Sequence, residues 1–167
     1  LKEAFEWIDE EIEEKIGKNF YSRSGGNFFL DLDRLKKADI DPRVIYDIVQ
    51  NYLPKVEGIE RMIYKEDIIA STATDKITHR LQNMIHPHKT PEIFPILTKG
   101  YLYKSPYGTS HGSPYDYDTH VPLIFSHIHS QRFLNGTPRA TVDIAPTIAQ
   151  ILDVQIPEYC DGRAIKF

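Results

Sequence analysis

The segment that most restricts how this chain can fold is a polar stretch at positions 105–120, which reads SPYGTSHGSPYDYDTH. It holds almost no aliphatic side chain, and Gly, Ser, Pro and Asp dominate it, which predicts a loop without helix or strand. A loop of this length is uncommon inside a compact domain and is usually functional. The hydrophobic core must therefore form on either side of the loop, and the shift in composition divides the chain after residue 104.

Residues 1–104 alternate between helical and strand patterns. Apolar residues spaced three or four apart predict an amphipathic first helix that Gly17 ends; they are Leu1, Phe5, Ile8, Ile12 and Ile16. Two short strands or one hairpin are predicted around Gly25-Gly26, and a helix is predicted to begin at Asp41-Pro42. Strands are predicted at 58–65 and 91–104, with a short and a longer helix between them. The pattern is that of an α+β unit.

Residues after the loop predict one strand and one helix. The apolar run at 121–129, VPLIFSHIH, predicts a strand that is buried at its start. Asp143 precedes a helix with Pro146 in its first turn. The apolar stripe expected to be buried on that helix consists of Ile144, Ile148, Ile151 and Leu152.

Charge and cysteine content exclude several classes of protein. The chain has 20 basic and 24 acidic residues and a net charge of -4. The basic face that a nucleic-acid backbone requires is missing, so nucleic acid is not expected as a partner. No run of 18 apolar residues occurs, so no membrane span is expected. The single cysteine, Cys160, can form neither an internal disulfide nor a thiolate metal site.

Histidines carry the candidate chemistry. His111 lies in the polar loop between small residues, which let the backbone approach a metal or a substrate closely. His120 ends the loop, and the nearby Asp118 could orient its imidazole or act as a ligand itself. His127 and His129 share one strand face and could hold zinc with a third ligand. The residues alone leave these alternatives open.

No catalytic residue can be assigned within the chain. It contains no G-x-S-x-G, no Gly-rich phosphate loop and no H-E-x-x-H motif. A site with two metals needs six or more protein ligands, and one loop supplies one to three.

Residues 109–125, TSHGSPYDYDTHVPLIF, closely resemble the C-terminal signature of bacterial alkaline phosphatases of the type I phosphodiesterase/nucleotide pyrophosphatase group. The segment DIAPT at 143–147 resembles the helix start that follows this signature across the alkaline phosphatase superfamily. The resemblance is strong over 105–153 and looser over the whole chain. It implies an α/β fold in which 1–104 is an α+β insertion and 105–167 supplies the C-terminal strands and helix of a three-layer α/β/α core.

The resemblance also implies a hydrolase of phosphate esters that uses two zinc ions. His111 matches the metal-ligand histidine of the family's loop, and His120 is the competing match. The family's nucleophile, its Asp-x-x-x-His motif and its Asp-His-Gly motif have no counterpart in this sequence. Leu1 is therefore expected to begin a C-terminal fragment that binds zinc weakly or not at all and is inactive alone.

Further expectations follow from the same resemblance. The intact enzyme would act on a phosphate ester, with no substrate-binding residue assigned here, and would be periplasmic or secreted, although this sequence contains no signal. The fragment would self-associate through an exposed strand edge at 121–128. Two other hypotheses stay open: a free-standing α+β binding module, and a small metalloprotein with one zinc bound by His111, His127 and His129.

Overall fold

The computed structural model describes residues 1–102, 111–126 and 134–166. The chain divides into two compact units, Leu1–His120 and Val121–Phe167. The predicted division after residue 104 stays a prediction. The first unit includes the end of the polar loop because that segment is bonded to the helices and strands that precede it.

The described residues form seven α-helices and four β-strands. The helices are α1 (Lys2–Ile16), α2 (Leu32–Lys37), α3 (Arg43–Tyr52), α4 (Lys65–Ala70), α5 (Lys76–Met84), α6 (Asp116–Thr119) and α7 (Ile144–Ile151). The strands are β1 (Tyr21–Ser24), β2 (Asn27–Leu30), β3 (Ile59–Tyr64) and β4 (Ile93–Leu97), and short 3-10 turns lie at Leu53–Lys55 and Thr141–Asp143. No helix in the described ranges is long and apolar enough to cross a bilayer.

The first helix forms as its periodicity predicts. Ala4, Ile8 and Ile12 are buried on one face of α1, while most of its acidic residues are exposed. Gly17 ends the helix with a φ of 93°, a left-handed conformation that glycine adopts without steric cost, and its N–H donates to the Glu13 carbonyl. The prediction for this segment is confirmed.

The four strands make one antiparallel sheet in the order β1-β2-β4-β3. Side chains alternate along each strand, so both faces of the sheet carry apolar residues, and each face is covered. On one face Ile93 joins Phe28 and the buried stripes of α1 and α3. On the other face Phe94 and Ile96 pack with residues from α4 and α5.

The hairpin between β1 and β2 turns at Gly25-Gly26, as predicted. A Cβ at Gly26 would lie 2.9 Å from Cγ of Pro95, so the backbone of the hairpin tip rests directly on the proline ring of β4. A glycine is required here by close approach to a neighbouring side chain.

A buried ion pair joins the central strands to the helices. Lys65, only 3% exposed, donates from Nζ to Oε1 of Glu92 at 2.7 Å and to the Pro87 carbonyl at 3.1 Å. The other oxygen of Glu92 accepts from the Leu30 N–H at 2.8 Å. Every polar group of the pair is thus bonded, which is the condition for burying charge without a large penalty. Nothing in the sequence marked Lys65 as buried.

The second unit is organised around the start of α7. The Asp143 carboxylate accepts from the Arg163 N–H at 2.8 Å and the Ala140 N–H at 3.1 Å. These two hydrogen bonds hold the pKa of Asp143 below its usual range, and the bond from Arg163 has the larger effect. The buried Thr147 hydroxyl accepts from the Ile165 N–H at 2.9 Å, which ties the C-terminal segment to the helix. The predicted helix after Asp143 is confirmed.

Three sequence predictions are wrong in part. The strand predicted over 91–104 is limited to Ile93–Leu97, because Gly100 turns the chain at a φ of 81°. The loop predicted over 105–120 contains the helical turn α6. Residues 121–126 form no strand, since no described strand pairs with them. The remainder of these predicted segments, at 103–110 and 127–129, lies outside the described residues, and self-association stays a prediction.

The buried face of α7 also differs from the prediction. Pro146, Thr147 and Ala149 are its buried residues. Much of the expected stripe is exposed instead: Ile148 at 44%, Ile151 at 50% and Leu152 at 65%. The periodicity located the helix correctly. It also predicted that the apolar stripe is buried, whereas the second unit leaves most of that stripe exposed.

We expect Glu92→Gln to destabilise the first unit by about 3 kcal/mol, because it leaves the buried Lys65 ammonium without a countercharge. Urea unfolding measures the effect. The matched control is Glu6→Gln, which removes an exposed i,i+4 partner of Lys2 and should change the free energy of unfolding by less than about 0.5 kcal/mol. Equal effects of the two substitutions would contradict the role assigned to the buried pair.

Candidate functional site

The predicted ligand His111 lies at the start of the described part of the polar loop and is exposed. Gly112 follows with a φ of 106°, and nothing lies within 4 Å of the position that a Cβ would take there. The backbone beside the imidazole is therefore open to an approaching group. Thr109 and Ser110 of the same motif lie outside the described residues.

Asp118 is bonded to the turn that follows His111. Its Oδ2 accepts from the Ser113 N–H at 2.6 Å. That hydrogen bond is the main cause that holds the pKa of Asp118 below its usual range, and the Gly112 N–H and the imidazole of His111 contribute further in the same direction. The carboxylate therefore stays charged near neutral pH and fixes the turn that carries His111.

His120 ends α6 in an extended conformation and is exposed. The pKa of Asp116 lies below its usual range chiefly because Arg80 donates a hydrogen bond to this carboxylate. The nearby His120 lowers the same pKa to the smallest extent. The structure thus brings Asp118 together with His111, whereas Asp116 is the acidic residue affected by His120. The assignment of His111 as ligand, with His120 and Asp118 as alternatives, stays a prediction.

Arg80 of α5 binds the loop from one side. Its Nη1 donates to the Pro114 carbonyl and its Nη2 to Oδ1 of Asp116, both at 2.7 Å. A guanidinium that bonds a carbonyl and a carboxylate together fixes both position and orientation. Sequence reasoning missed the pairing of Arg80 with Asp116, because 36 residues separate them.

Two tyrosines of the loop attach it to the residues that precede it. The Tyr115 hydroxyl is 2.6 Å from Oε2 of Glu60 and 2.7 Å from the Leu97 carbonyl, so it reaches both β3 and β4. Tyr117 stacks on Tyr115 with ring centroids 5.9 Å apart and accepts from the Gly100 N–H at 3.2 Å. Tyr115 and Tyr117 thus attach the described part of the loop to β4 and to the turn at Gly100.

An open groove of about 570 Å³ lies beside this loop, within the first unit. Residues of α5, β4 and the loop line it and include Arg80, Met84, Phe94, Pro95, His111 and Asp118. Its volume falls within the range of about 300–1,000 Å³ that ligand pockets occupy. His111 is therefore next to a concave surface that could hold a small molecule.

The described residues bring together no complete metal site. Over 1–102, 111–126 and 134–166, no group of three His, Cys, Asp or Glu residues could hold a metal ion. Zinc takes three or four protein ligands, so His111 would be one ligand of a shared set. His127 and His129 lie outside the described residues. Nδ1 of His86 accepts from the His88 N–H at 3.2 Å, and both residues are exposed.

The chain is similar to known alkaline phosphatases over most of its length. It is 26% identical over 161 residues to alkaline phosphatase PafA of Elizabethkingia meningoseptica, which covers 95% of this chain and 30% of that protein. It is 26% identical over 135 residues to alkaline phosphatase PhoV of Synechococcus elongatus, covering 81% and 24% respectively. No family model matches the chain.

A crystal structure of wild-type PafA matches with a TM-score of 0.79 and 24% sequence identity, over 99% of this chain and 32% of that one. The relatives confirm the resemblance to the alkaline phosphatase superfamily, and the structural match confirms the alkaline-phosphatase-like α/β fold class. Since the chain spans less than a third of the length of these relatives, what they do as whole proteins reaches this chain only as a proposal.

We expect Tyr115→Phe to loosen the loop without unfolding the unit, because it removes the hydroxyl that reaches Glu60 and Leu97. A hydrogen bond contributes about 1 kcal/mol, so amide exchange at Ser113 and His120 should accelerate about fivefold. The matched control is Tyr159→Phe, whose ring is 88% exposed. Unchanged exchange in the Tyr115 variant would show that the loop is held in another way.

Alkaline pH should weaken the same anchor. Burial, followed by the hydrogen bond to Glu60, raises the pKa of Tyr115 from 10.0 to about 12. Because the folded pKa is raised, the stabilisation is complete below pH 10 and is lost as pH rises towards 12. In spectrophotometric titration the wild type should show one more late-ionising tyrosine than Tyr115→Phe, because Tyr21, whose pKa is also raised, is present in both proteins. An ordinary ionisation near pH 10 would contradict this.

Proposed function

We propose that the chain is the C-terminal part of a zinc-dependent hydrolase of phosphate esters, of the alkaline phosphatase or phosphodiesterase/nucleotide pyrophosphatase type. In this proposal residues 1–104 are the inserted α+β subdomain, residues 105–167 complete the core, and His111 supplies one metal ligand. The observation that carries it is the exposed imidazole of His111 on a loop fastened by Arg80 and Tyr115, beside an open groove.

Rigid placement of His111 supports this proposal. A metal site needs each ligand held close to its productive geometry by neighbouring bonds. Here Asp118 closes the turn around Ser113, Arg80 holds the carbonyl of Pro114, and Tyr115 reaches the sheet. A solvated loop with no function would not need three such attachments within six residues.

The exposed apolar surface of the second unit supports the larger assembly. Ile124 is 81% exposed and Leu152 is 65% exposed, and several other aliphatic side chains of this unit are at least 40% exposed. Exposed apolar surface of this kind commonly marks an interface where the side chains adjoin one another. In the proposal this surface packs against the remainder of the core.

Zinc bound by His111 would act as a Lewis acid on a phosphate oxygen and stabilise the charge that develops during displacement. The groups of this chain would act around that centre. His111 would offer a ring nitrogen as a ligand, while Asp118 keeps the turn closed through the Ser113 N–H and Arg80 and Tyr115 hold the segment on the sheet. The nucleophile and the other ligands would come from residues that this chain does not contain. A periplasmic or secreted location belongs to the same proposal.

The complete gene should encode an Asp-His-Gly motif shortly before Leu1, and its product should hydrolyse p-nitrophenyl phosphate with about two zinc ions bound. His111→Ala should reduce the zinc content to about one and lower kcat/KM by more than about 100-fold, because a direct ligand matters at least as much as the groups that orient it. Metal analysis and steady-state kinetics measure both.

Two control variants make this experiment specific. His79→Ala removes an exposed imidazole from α5 and should leave zinc content and activity unchanged. His120→Ala separates the two candidate ligands, since zinc loss in this variant alone would move the assignment to His120. Zinc-dependent turnover by the purified 167-residue chain would contradict the proposal that the rest of the centre lies elsewhere.

A further inference from the structure

The α5–β4 groove, defined by Arg80, Met84, Phe94, Pro95, His111 and Asp118, combines a polar part with an apolar part. Arg80, His111 and Asp118 line the polar part of the groove, beside the loop. Met84 lies four residues after Arg80 on α5, so it stands one helical turn, about 6 Å, farther along the same face. Phe94 and Pro95 of β4 line the groove with it.

The apolar part is open to a ligand. Met84 is 53% exposed although it lines a concave surface, and the ring of Phe94, only 5% exposed, is fixed in the core beneath it. Covering such a side chain with an apolar group removes hydrocarbon from water and is favourable. A methionine thioether beside open space also makes good contacts with an aromatic ring.

The charge balance disfavours an additional anion. Arg80 is the one Lys or Arg among the described residues that line the groove, and Asp116 and the Pro114 carbonyl already use its guanidinium. Asp118 adds a negative charge on the same side. An uncharged apolar group therefore suits the groove better than a second phosphate.

We propose that this groove binds the alcohol portion of the substrate, with an aromatic or similarly flat apolar group against Met84 and Pro95 while the phosphate lies at His111. This rests on the proposed function and names its substrate class: phosphate esters of apolar, aromatic alcohols. Binding is driven by burial of the ring and of the Met84 side chain. Because Asp116 neutralises Arg80, the groove does not attract a second anion in place of the ring.

The groove can be tested on the purified 167-residue chain without any turnover. 1-Naphthol, which carries the ring but no phosphate, should shift the backbone amide NMR signals of Met84, Phe94 and Ser113. Methyl phosphate, which carries the phosphate but no ring, should leave the signals of Met84 and Phe94 in place. Equal shifts from both probes, or no shift from 1-naphthol, would overturn the proposal.

Paired variants identify the residue responsible. Met84→Gln should weaken 1-naphthol binding at least about fivefold, whereas Ile69→Gln, at a position 51% exposed on α4, should not. In the product of the complete gene, Met84→Gln should lower the ratio of kcat/KM for 1-naphthyl phosphate to that for methyl phosphate by a similar factor. The ratio cancels any general loss of activity.

The outcomes separate this inference from the proposed function. Hydrolysis of both esters with a ratio that Met84→Gln leaves unchanged would overturn the groove and leave the hydrolase standing. A complete protein that hydrolyses neither ester would overturn the hydrolase, and the NMR titration with 1-naphthol would then decide the groove by itself.

Discussion

The antiparallel pairing of β3 with β4 is the interaction on which the first unit depends. The two strands pair from Ile59 opposite Leu97 to Tyr64 opposite Ile93, and their side chains fill both hydrophobic clusters. At one end of the pair, Glu92 neutralises the buried Lys65. At the other end, the Leu97 carbonyl receives the Tyr115 hydroxyl. One pair of strands thus connects the core to the segment that carries His111.

This arrangement explains how a loop without aliphatic side chains takes a defined conformation. Such a segment cannot bury enough apolar surface to order itself. Its conformation is fixed by side chains that earlier helices and strands hold in place, namely Arg80 on α5 and Glu60 on β3. The geometry of the candidate ligand is therefore a property of the α+β unit as much as of the loop.

The sequence predicted the elements whose signals are local. The period of Ile8, Ile12 and Ile16 located α1, and Gly25-Gly26 located the hairpin. It missed the features that depend on distant partners. Asp116 of α6 is bonded to Arg80 and the preceding Tyr115 to Glu60, at separations of 36 and 55 residues, and no periodicity records such a pairing. Lys65 was missed for the same reason, since its countercharge is 27 residues away.

The errors near the C-terminus have a different cause. An apolar run predicts burial only when another surface covers it, and the described part of the second unit leaves Ile124 and Leu152 exposed. The stripe on α7 was recognised correctly as hydrophobic, yet the partner that would bury it is not among the described residues. For the candidate site, sequence reasoning supplied His111 and Asp118, whereas the contacts of Arg80 and Tyr115 join residues too distant in the sequence to be predicted.

The contact between Gly26 and Pro95 has an evolutionary consequence. The hairpin tip rests on a proline ring that also lines the α5–β4 groove. A side chain larger than hydrogen at position 26 would need a smaller or displaced residue at position 95, which would reshape that surface. Homologous sequences should therefore vary at these two sites in concert, and a lineage that shifts its ligand preference could do so through a mutation in a turn that never meets the ligand.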